Sequence, residues 1–297
     1  MSFYVVVGAG PVGRETARLL AEEGHNVALT SRNAGSIQAG SVRTVSADAT
    51  DAAQLTKISR GADVIFMCAM APYHRWPVEF FPVLDGTVKA AETVGAKLVV
   101  LGNLYGYGEN ASAPVSPALP LNPTTRKGTV RTIMWQRAAA ANVPAIEVRA
   151  SDFLGQGAVT YFSLLALPSL LKREAALSFP GNPDALHAWS FTKDTAKTLV
   201  AAARYTGKWG RAFHAPAQHV SIRELVGKFA AALEINAPEI RGMTATQLSG
   251  IGFHEAIEML YLFESAFLVD AADTDRLLGV TASSLEAMIR DTLAVAG

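Results

Sequence analysis

A glycine-rich segment near the N-terminus has the residue types and spacing of a phosphate-binding turn. Residues 8–13 read Gly-Ala-Gly-Pro-Val-Gly and fit the pattern G-x-G-x-x-G. The segment follows an apolar run, Phe3–Val7, and opens a helical pattern, Gly13–Glu23. A strand before the glycines and a helix after them form the setting in which this pattern binds a dinucleotide.

Each glycine has a separate task in such a turn. Gly8 permits the tight bend, Gly10 lets the backbone approach a pyrophosphate, and Gly13 lets the helix and strand pack closely. The N-terminus of the helix adds oriented N–H groups and the positive end of its dipole. The sequence therefore predicts a dinucleotide site, with a plain glycine turn as the alternative. The expected contacts are Gly8, Gly10, Pro11, Val12 and Gly13.

The end of the second predicted strand, Asn26–Thr30, bears on which dinucleotide is bound. An NAD site usually has Asp or Glu at this point, bonded to the ribose 2′-hydroxyl, whereas here the chain reads Ser31-Arg32-Asn33. A guanidinium beside a hydroxyl suits a 2′-phosphate. Ser31 and Arg32, with help from Arg14, therefore favour NADP(H) over NAD(H), which stays possible. The alternative is that Arg32 is a solvated loop residue.

Two further segments follow predicted strands and are expected to contact the cofactor. Asp48 comes after the run Val42–Ala47. It is interpreted either as an acceptor for the adenine amino group, with Ala49 beside it, or as a helix N-cap. The segment Ala69-Met70-Ala71 follows the predicted strand Val64–Met67. Small residues there would let the backbone approach the nicotinamide ribose.

Seven segments stand in an order that is informative beyond the glycine turn. They are GAGPVGRETARLL at 8–20, ADATD at 47–51, GNLYGYG at 102–108, RKGTVR at 126–131, VRASDFLGQG at 148–157, HAWSFTKDTA at 187–196 and EMLYLFESAFLVD at 258–270. In this order they resemble the extended and atypical short-chain dehydrogenases/reductases, in the NAD-dependent epimerase/dehydratase branch. The resemblance implies a Rossmann domain followed by a smaller, interleaved substrate domain. It also implies a catalytic Ser or Thr, with Tyr and Lys spaced Y-x-x-x-K on one helix.

The catalytic set implied by this resemblance is altered in the sequence. Lys127 stands where the tyrosine is expected, and Arg131 stands where the lysine is expected. The Ser or Thr position falls at Leu101 or Gly102, neither of which carries a hydroxyl. Arginine does not give up its proton in proteins, so Arg131 can supply charge but not a proton. The acid–base group is therefore expected elsewhere.

Tyr105 is the candidate that replaces the missing acid. It comes just after the fifth predicted strand, Lys97–Leu101, at the carboxyl edge where ligands bind in parallel sheets. Asn103 would bond a substrate carbonyl and contact the cofactor. Lys127 would lower the pKa of Tyr105, act as the acid itself after desolvation, or contact the cofactor. The alternative is that Tyr105 is a packing residue and that Lys127 contacts only cofactor hydroxyls.

Aromatic and imidazole groups are expected to line the substrate side of this edge. Tyr73, His74 and Trp76 lie in a loop after the fourth predicted strand. His187 and Trp189 precede a predicted helix and would close the pocket from the opposite side. For both groups the alternative is structural packing.

The elements that would position these residues alternate in the first half of the chain. Short apolar runs are separated by helical patterns such as Val83–Val94 and Arg126–Asn142. Such alternation predicts an α/β fold with a doubly wound parallel Rossmann sheet and helices on both faces. The expected division is a dinucleotide-binding domain at 1–150 and a smaller substrate domain at 151–297, with Asp152 ordering the loop between them. From the resemblance, residues 187–216 are expected to return to the first domain.

The second half of the chain has weaker periodicity. Helices are predicted at Ser221–Leu233, which opens with a capping box, and at Ser283–Ala294. The apolar stretch Ala256–Val269 is interpreted as a helix that covers the core, or as a dimer face or pocket lid. The expected oligomeric state is a monomer or a homodimer.

Composition limits the class of protein. The 297 residues carry 26 Lys+Arg and 26 Asp+Glu, and a net charge of zero argues against a broad surface for nucleic acid or an acidic membrane. The sequence shows no apolar run of membrane-spanning length and no secretory leader, which predicts a cytoplasmic protein. Cys68 is the only cysteine and is expected to be buried. The histidines are scattered without ligand spacing, so no metal site is expected.

Together these features predict an NADP(H)-dependent oxidoreductase that transfers a hydride to or from a carbonyl or hydroxyl of a small organic substrate. The altered Tyr–Lys set keeps two alternatives open. One is a non-catalytic NADP(H)-binding protein that senses redox state or regulates a partner. The other is a sugar-nucleotide epimerase or dehydratase, for which the second half shows no basic cluster that would hold a diphosphate.

Overall fold

The computed structural model describes residues 1–34 and 42–294, and within these residues the chain forms twelve strands and eleven α-helices. The strands are β1 Phe3–Val7, β2 Asn26–Ser31, β3 Arg43–Ser46, β4 Val64–Met67, β5 Lys97–Asn103, β6 Ala145–Ala150, β7 Asp152–Leu154, β8 Ala176–Pro180, β9 Leu186–Phe191, β10 Arg211–His214, β11 Ala217–Ser221 and β12 Glu239–Met243. The helices are α1 Pro11–Glu22, α2 Ala52–Ile58, α3 Phe81–Val94, α4 Arg126–Ala139, α5 Leu167–Leu171, α6 Thr192–Ala203, α7 Ile222–Ala232, α8 Ala245–Gly250, α9 Tyr261–Glu264, α10 Ala272–Leu278 and α11 Leu285–Leu293. None of the helices described is long and apolar enough to cross a membrane.

The central sheet has seven strands in the order β3-β2-β1-β4-β5-β6-β10. Every neighbouring pair in it is parallel. The strand order reverses between β1 and β4, which opens a crevice at their carboxyl ends, the usual ligand position in such sheets. The predicted doubly wound α/β sheet is therefore confirmed.

Both faces of the central sheet are buried because alternate side chains of each strand enter different cores. In β1, Tyr4 and Val6 pack with α1 and α6, whereas Val5 and Val7 pack with α2, α3 and α4. This two-sided burial explains why the strands read as continuous apolar runs. Cys68 lies in the first of these cores, as predicted, and burial raises the pKa of its thiol to about 12.

The chain returns to the central sheet after a long excursion. Helix α6 packs against α1. Strand β10 pairs with β6, from Arg211 opposite Ile146 to His214 opposite Arg149. Residues 192–214 therefore complete a sheet that the first 150 residues begin.

The remaining residues after β6, 151–191 and 215–294, form what we call the C-terminal region. It contains a three-stranded sheet, β11-β9-β7, and a two-stranded sheet, β12-β8. Its core includes Phe162, Trp189 and Phe229 and also receives Leu104 and Tyr107 from the turn after β5. The C-terminal region is thus packed against the carboxyl edge of the central sheet.

The C-terminal region differs most from the sequence-based expectation. Strands β7, β8, β9, β11 and β12 are not predicted, because they are short and β9 is buried along nearly its whole length, which removes the alternation that marks a strand. The stretch Ala256–Val269, interpreted as a helix that covers the core, instead begins within a 3-10 segment, His254–Met259, and continues through the short helix α9. The helix ends there because the Phe267 N–H donates to the Leu186 carbonyl and so extends the chain along β9.

Candidate active site at the carboxyl edge of the central sheet

The glycine turn joins β1 to α1 and leaves space where a phosphate would approach. Gly8 has a φ of +105°, and a methyl group on it would lie 2.3 Å from the Ala69 nitrogen. A methyl group on Gly13 would lie 2.0 Å from the Gly8 carbonyl oxygen. A methyl group on Gly10 would meet no described atom within 4 Å, apart from its adjacent residues. Packing therefore requires glycine at positions 8 and 13. Gly10 instead leaves an opening at the helix N-terminus that fits a pyrophosphate.

The first turn of α1 supports this opening. Pro11 is the first helical residue, where its missing N–H costs nothing. Val12 is buried in the core between α1 and the sheet. The Arg14 Nε donates to the Ala9 carbonyl at 2.7 Å, which ties this guanidinium to the glycine turn.

The end of β2 carries a hydroxyl and an exposed guanidinium. Ser31 is the last residue of β2, and its Oγ accepts a hydrogen bond from the Asn33 N–H at 3.3 Å. Arg32 follows it and is exposed. Hydrogen bonds from Thr50, and then the charge of Arg32, lower the pKa of Asp48. Arg32 and Asp48 therefore lie near each other at the open edge of the sheet.

Asp48 does not cap α2, so one of its two interpretations is wrong. Asp51 takes the N-cap position, and its carboxylate accepts from the Gln54 N–H at 2.9 Å. The Asp48 Oδ1 accepts instead from the N–H and the hydroxyl of Thr50, each at 2.9 Å, because the chain turns before the helix begins. Ala49, its neighbour, packs its carbonyl against Gly86 of α3.

The residues after β4 lie beside the glycine turn. Ala69 contacts Gly8, and the Ala71 carbonyl accepts from the Trp76 indole N–H at 3.1 Å. Met70, between the two, is 62 % exposed. The two alanines therefore pack inward, and Met70 is the exposed side chain of this segment.

Tyr105 lies in a 3-10 turn directly after β5, surrounded by aromatic rings. Its N–H donates to the Asn103 Oδ1 at 3.2 Å, so the Asn103 side chain shapes the turn. The Trp76 ring stacks on it, with ring centres 6.0 Å apart, and the Tyr73 ring packs edge-on against Trp76, with ring centres 5.0 Å apart. Burial, followed by the charge of Asp152, raises the pKa of Tyr105. The phenol therefore keeps its proton at neutral pH.

Lys127 is buried and held by two carboxylates. It is 1 % exposed, and its Nζ lies 2.8 Å from the Glu258 Oε1 and 3.1 Å from the Glu255 Oε2. The Lys127 N–H also donates to the Glu258 Oε2 at 3.2 Å, and its Nζ lies 4.5 Å from the centre of the Tyr73 ring. Both glutamates belong to the 3-10 segment, so Lys127 connects α4 to the C-terminal region.

Arg131, one turn further along α4, carries a charge that partly offsets the rise in the pKa of Tyr105 caused by burial and by Asp152. Its guanidinium carbon lies 4.6 Å from the centre of the Trp76 ring and 4.5 Å from that of Phe80. The Arg131 Nη1 donates to the Leu101 carbonyl at 3.3 Å, while its Nε has no partner among the described residues. Burial lowers the pKa of Arg131 to about 10, which leaves it protonated at neutral pH. A cation therefore does lie near Tyr105, and the role of Lys127 toward Tyr105 stays a prediction.

His187 and Asp152 form a pair next to the tyrosines. The His187 Nε2 lies 3.0 Å from the Asp152 Oδ2, and its Nδ1 lies 2.9 Å from the Leu262 carbonyl oxygen. The His187 side chain is 1 % exposed and that of Asp152 is 16 % exposed. Across residues 1–34 and 42–294, no group of three or more His, Cys, Asp or Glu is arranged to hold a metal ion.

The expected substrate wall is only partly at the surface of the site. Trp76 and Trp189 are buried, since the first packs beneath Tyr105 and the second donates its indole N–H to the Val220 carbonyl at 3.1 Å inside the C-terminal core. Tyr73 is half-buried and His74 is exposed. The two indoles therefore support the site from behind, and Tyr73 and His74 remain accessible.

Three residues of this site are not predicted from the sequence. Glu255 and Glu258 bind Lys127, and the Tyr161 hydroxyl donates to the Ala256 carbonyl at 2.7 Å beside them. One signal was available: the two glutamates stand three residues apart, which places them on one face of a helical turn. A buried lysine needs such a partner.

Comparison with known proteins agrees with this geometry. Residues 8–151 match a family model described as NAD(P)H-binding. This match covers just under half of the chain, and the chain as a whole has a Rossmann fold. The resemblance to short-chain dehydrogenases/reductases of the NAD-dependent epimerase/dehydratase type is confirmed at the level of the fold. A search of curated proteins found no match.

The similarity of this chain to solved structures extends over almost its whole length. UDP-glucose 4-epimerase from Brucella ovis in complex with NAD has a TM-score of 0.81 at 18 % identity, covering 99 % of this chain and 98 % of that one. The Bordetella bronchiseptica enzyme WbmH in complex with NAD+ has a TM-score of 0.77 at 19 % identity, with coverage of 99 % and 98 %. UDP-glucuronic acid 4-epimerase from Bacillus cereus in complex with NAD has a TM-score of 0.79 at 16 % identity, with coverage of 97 % and 96 %. At these identities the likeness establishes the fold.

Proposed function

We propose that this protein is an NADP(H)-dependent oxidoreductase that transfers a hydride to or from a small organic carbonyl or alcohol, with Tyr105 as the proton donor. The observation that carries the proposal is the place of Tyr105. It presents a protonated phenol at the carboxyl edge of the sheet, and Trp76, which stacks on it, is bonded to the segment that contacts the glycine turn. The C-terminal region would supply the rest of the substrate site.

The residues that would hold the cofactor follow the sheet edge from β2 to β5. Gly10 and the N-terminus of α1 would take the pyrophosphate, and Ser31 and Arg32 would take the 2′-phosphate. Asp48 with Ala49 would contact the adenine, and the segment 69–71 would contact the nicotinamide ribose. When bound, the nicotinamide supplies or accepts the hydride. Tyr105 donates a proton to the oxygen of the reduced carbonyl, and the amide of Asn103 orients that oxygen.

The choice of cofactor is tested by titrating the purified protein with NADPH and NADH and following fluorescence. We expect tighter binding of NADPH. In Arg32→Ala the Kd for NADPH should rise about tenfold to hundredfold, the value of one or two charge-assisted hydrogen bonds, while the Kd for NADH should hardly change. Arg43→Ala is the matched control, because Arg43 is an exposed arginine at the opposite, amino end of the sheet. Equal affinities for the two cofactors would contradict the role of Arg32.

The chemistry is tested by following NADPH oxidation with a panel of aliphatic and aromatic aldehydes and ketones. For a substrate found in this way, Tyr105→Phe should lower kcat by about 10²-fold or more while leaving NADPH affinity unchanged. Tyr205→Phe is the matched control, since Tyr205 lies near Arg211 at the amino edge of the sheet. Full activity of Tyr105→Phe would show that another group donates the proton.

One observation favours a second candidate, a non-catalytic NADP(H)-binding sensor. Lys127 stands at the position of the catalytic tyrosine in the resembling family, and two glutamates already neutralise it. This candidate predicts tight NADPH binding, no turnover with the panel, and no effect of Tyr105→Phe. Adding UDP-sugars to the panel tests the epimerase alternative, for which interconversion of two sugar nucleotides with NAD+ is the positive result.

A further inference from the structure

The hydrogen bonds of His187 require an additional proton at the pair that it forms with Asp152. The Leu262 carbonyl can only accept, so the His187 Nδ1 at 2.9 Å must carry a hydrogen. If the Nε2 carried none, its lone pair would face an ionised Asp152 Oδ2 at 3.0 Å, and two acceptors would oppose each other. One proton therefore lies between the His187 Nε2 and the Asp152 Oδ2.

The surroundings of the pair favour keeping this proton. The His187 ring stacks on Phe263 with ring centres 4.2 Å apart and contacts the Trp189 ring at 4.8 Å. An uncompensated charge in such an apolar setting is costly, whereas the protonated pair is neutral overall. Asp152 is the partly exposed member, so the pair exchanges protons with water through its carboxylate.

Titratable groups from several elements face the pair. On β11, the His219 Nε2 accepts from the Val269 N–H at 3.1 Å, so this nitrogen carries no proton. Burial and the charge of His187 lower the pKa of His219, which keeps it neutral. On the side of the sheet edge, Asp152 faces three phenols, whose pKa values it helps to raise: Tyr73, Tyr105 and Tyr161.

The strand register places Asp152 beside Tyr105. The β5–β6 pairing ends with Asn103 opposite Ala150. Tyr105 and Asp152 each follow two residues later, so they leave adjacent strands at the same edge. The charge of Asp152 acts on the Tyr105 phenol, so the proposed proton donor and the proton-holding pair share this edge of the sheet.

We propose that Asp152 and His187 form the proton store of the active site and return a proton to Tyr105 in each turnover. This inference rests on the proposed function. When the carbonyl carbon accepts the hydride, the π pair moves to oxygen. The new oxyanion then takes the Tyr105 proton, so the phenol O–H breaks and the alcohol O–H forms. The NADPH that supplied the hydride is oxidised to NADP+.

The reaction cycle is complete when the Tyr105 phenolate regains its proton. The proton held between Asp152 and His187 moves to the Tyr105 oxygen, leaving an Asp152 carboxylate and a neutral His187. One proton from water then binds to the pair through the partly exposed carboxylate of Asp152. Both residues act through Tyr105 and do not touch the substrate.

The proton itself is tested by NMR on the labelled full-length protein without cofactor. Ring ¹⁵N signals of His187, assigned with His187→Gln, and the ¹³C carboxyl signal of Asp152 report where protons reside. At neutral pH we expect a proton on the Nδ1 and one more on either the Nε2 or the Asp152 carboxyl. An unprotonated Nε2 facing an ionised Asp152 in the wild type would overturn the proposal.

The role of the Asp152–His187 pair in turnover is tested with NADPH and the carbonyl compound of the panel that reacts fastest. In Asp152→Asn the first turnover should keep nearly the wild-type rate, and later turnovers should slow by on the order of 10²-fold. Added imidazole buffer should restore them. Asp184→Asn is the control, because Asp184 is an exposed aspartate bound to Arg223. Equal slowing of all turnovers without buffer rescue would mean a merely structural role. If the wild type oxidises no NADPH, the proposed function fails, and the NMR result still decides whether the pair holds the proton.

Discussion

At the scale of single residues, the three glycines of the turn between β1 and α1 have different physical reasons to lack a side chain. A methyl group on Gly13 would overlap the Gly8 carbonyl, and one on Gly8 would overlap the Ala69 backbone. These two positions are fixed by the contact of α1 with β1 and β4. Gly10 has open space instead, so only a bound ligand would give a reason for glycine there.

This difference predicts opposite phenotypes for two similar substitutions. Gly13→Ala should lower the free energy of unfolding by about 1–3 kcal/mol, the usual cost of overpacking, and should also weaken NADPH binding. Gly10→Ala should leave the free energy of unfolding nearly unchanged and raise the Kd for NADPH by about tenfold or more. Urea unfolding and fluorescence titration measure the two effects. Normal NADPH binding by the Gly10→Ala variant would contradict a pyrophosphate site at this turn.

At the scale of elements, the segment from His254 to Glu264 fastens the C-terminal region onto α4. Glu255 and Glu258 bind Lys127, the Ala256 carbonyl accepts from the Tyr161 hydroxyl, and Phe263 stacks on His187. The segment therefore spans the candidate site from the Lys127 side to the His187 side.

The two glutamates should contribute unequally to this attachment. The Glu255 side chain is 54 % exposed, so Glu255→Gln should cost about 0–1 kcal/mol. Glu258 is 24 % exposed and binds both the Nζ and the N–H of Lys127, so Glu258→Gln should cost more, about 2 kcal/mol. The double variant leaves Lys127 buried without a carboxylate and should cost about 3–5 kcal/mol. Urea unfolding of the three variants measures this, and equal losses for the two single changes would refute the ranking.

At the scale of the whole molecule, a buried polar chain joins the central sheet to the C-terminal region. The Arg149 side chain donates to the Glu147 Oε2 and to the Tyr107 hydroxyl, both at 2.6 Å. The Tyr107 hydroxyl donates to the His214 Nε2 at 2.6 Å, and the His214 Nδ1 donates to the Asp270 carbonyl at 2.9 Å. The donors and acceptors of this chain are matched one to one, and this holds only as long as His214 is neutral.

This chain should make the fold sensitive to acid. Burial, followed by the charge of Arg149, lowers the pKa of His214 from 6.5 to about 3. Between these values the unfolded chain binds a proton that the folded chain does not. With respect to His214, the fold therefore has its full stability above about pH 6.5. Its free energy of unfolding falls by about 1.4 kcal/mol per pH unit as the pH drops from there toward 3. Urea unfolding between about pH 6 and pH 4 should give a shallower pH dependence for His214→Gln, and parallel lines would contradict the prediction.

The features that the sequence predicts well are local. The glycine turn, the strands of the first half and the phenol after β5 follow from short stretches of sequence, because the two-sided burial of a parallel sheet marks each strand by itself. The partners of Lys127 could not be found in this way, because Glu255 and Glu258 are 128 and 131 residues away in the sequence. Asp152 likewise has a local reason to order a loop, while its contact with His187 depends on how β7 and β9 pair.

Because β10 returns to the central sheet, the first half of the chain is not an independent unit. The family match ends at residue 151, at the end of β6, yet the strand that covers β6 comes from residues 211–214. Without that strand, the backbone groups of Ile146 to Arg149 would form an open edge, a ready template for pairing with other chains. Recombination that exchanged the first half alone would therefore pass on an aggregation-prone fragment, so the two halves of this chain are expected to have been inherited together.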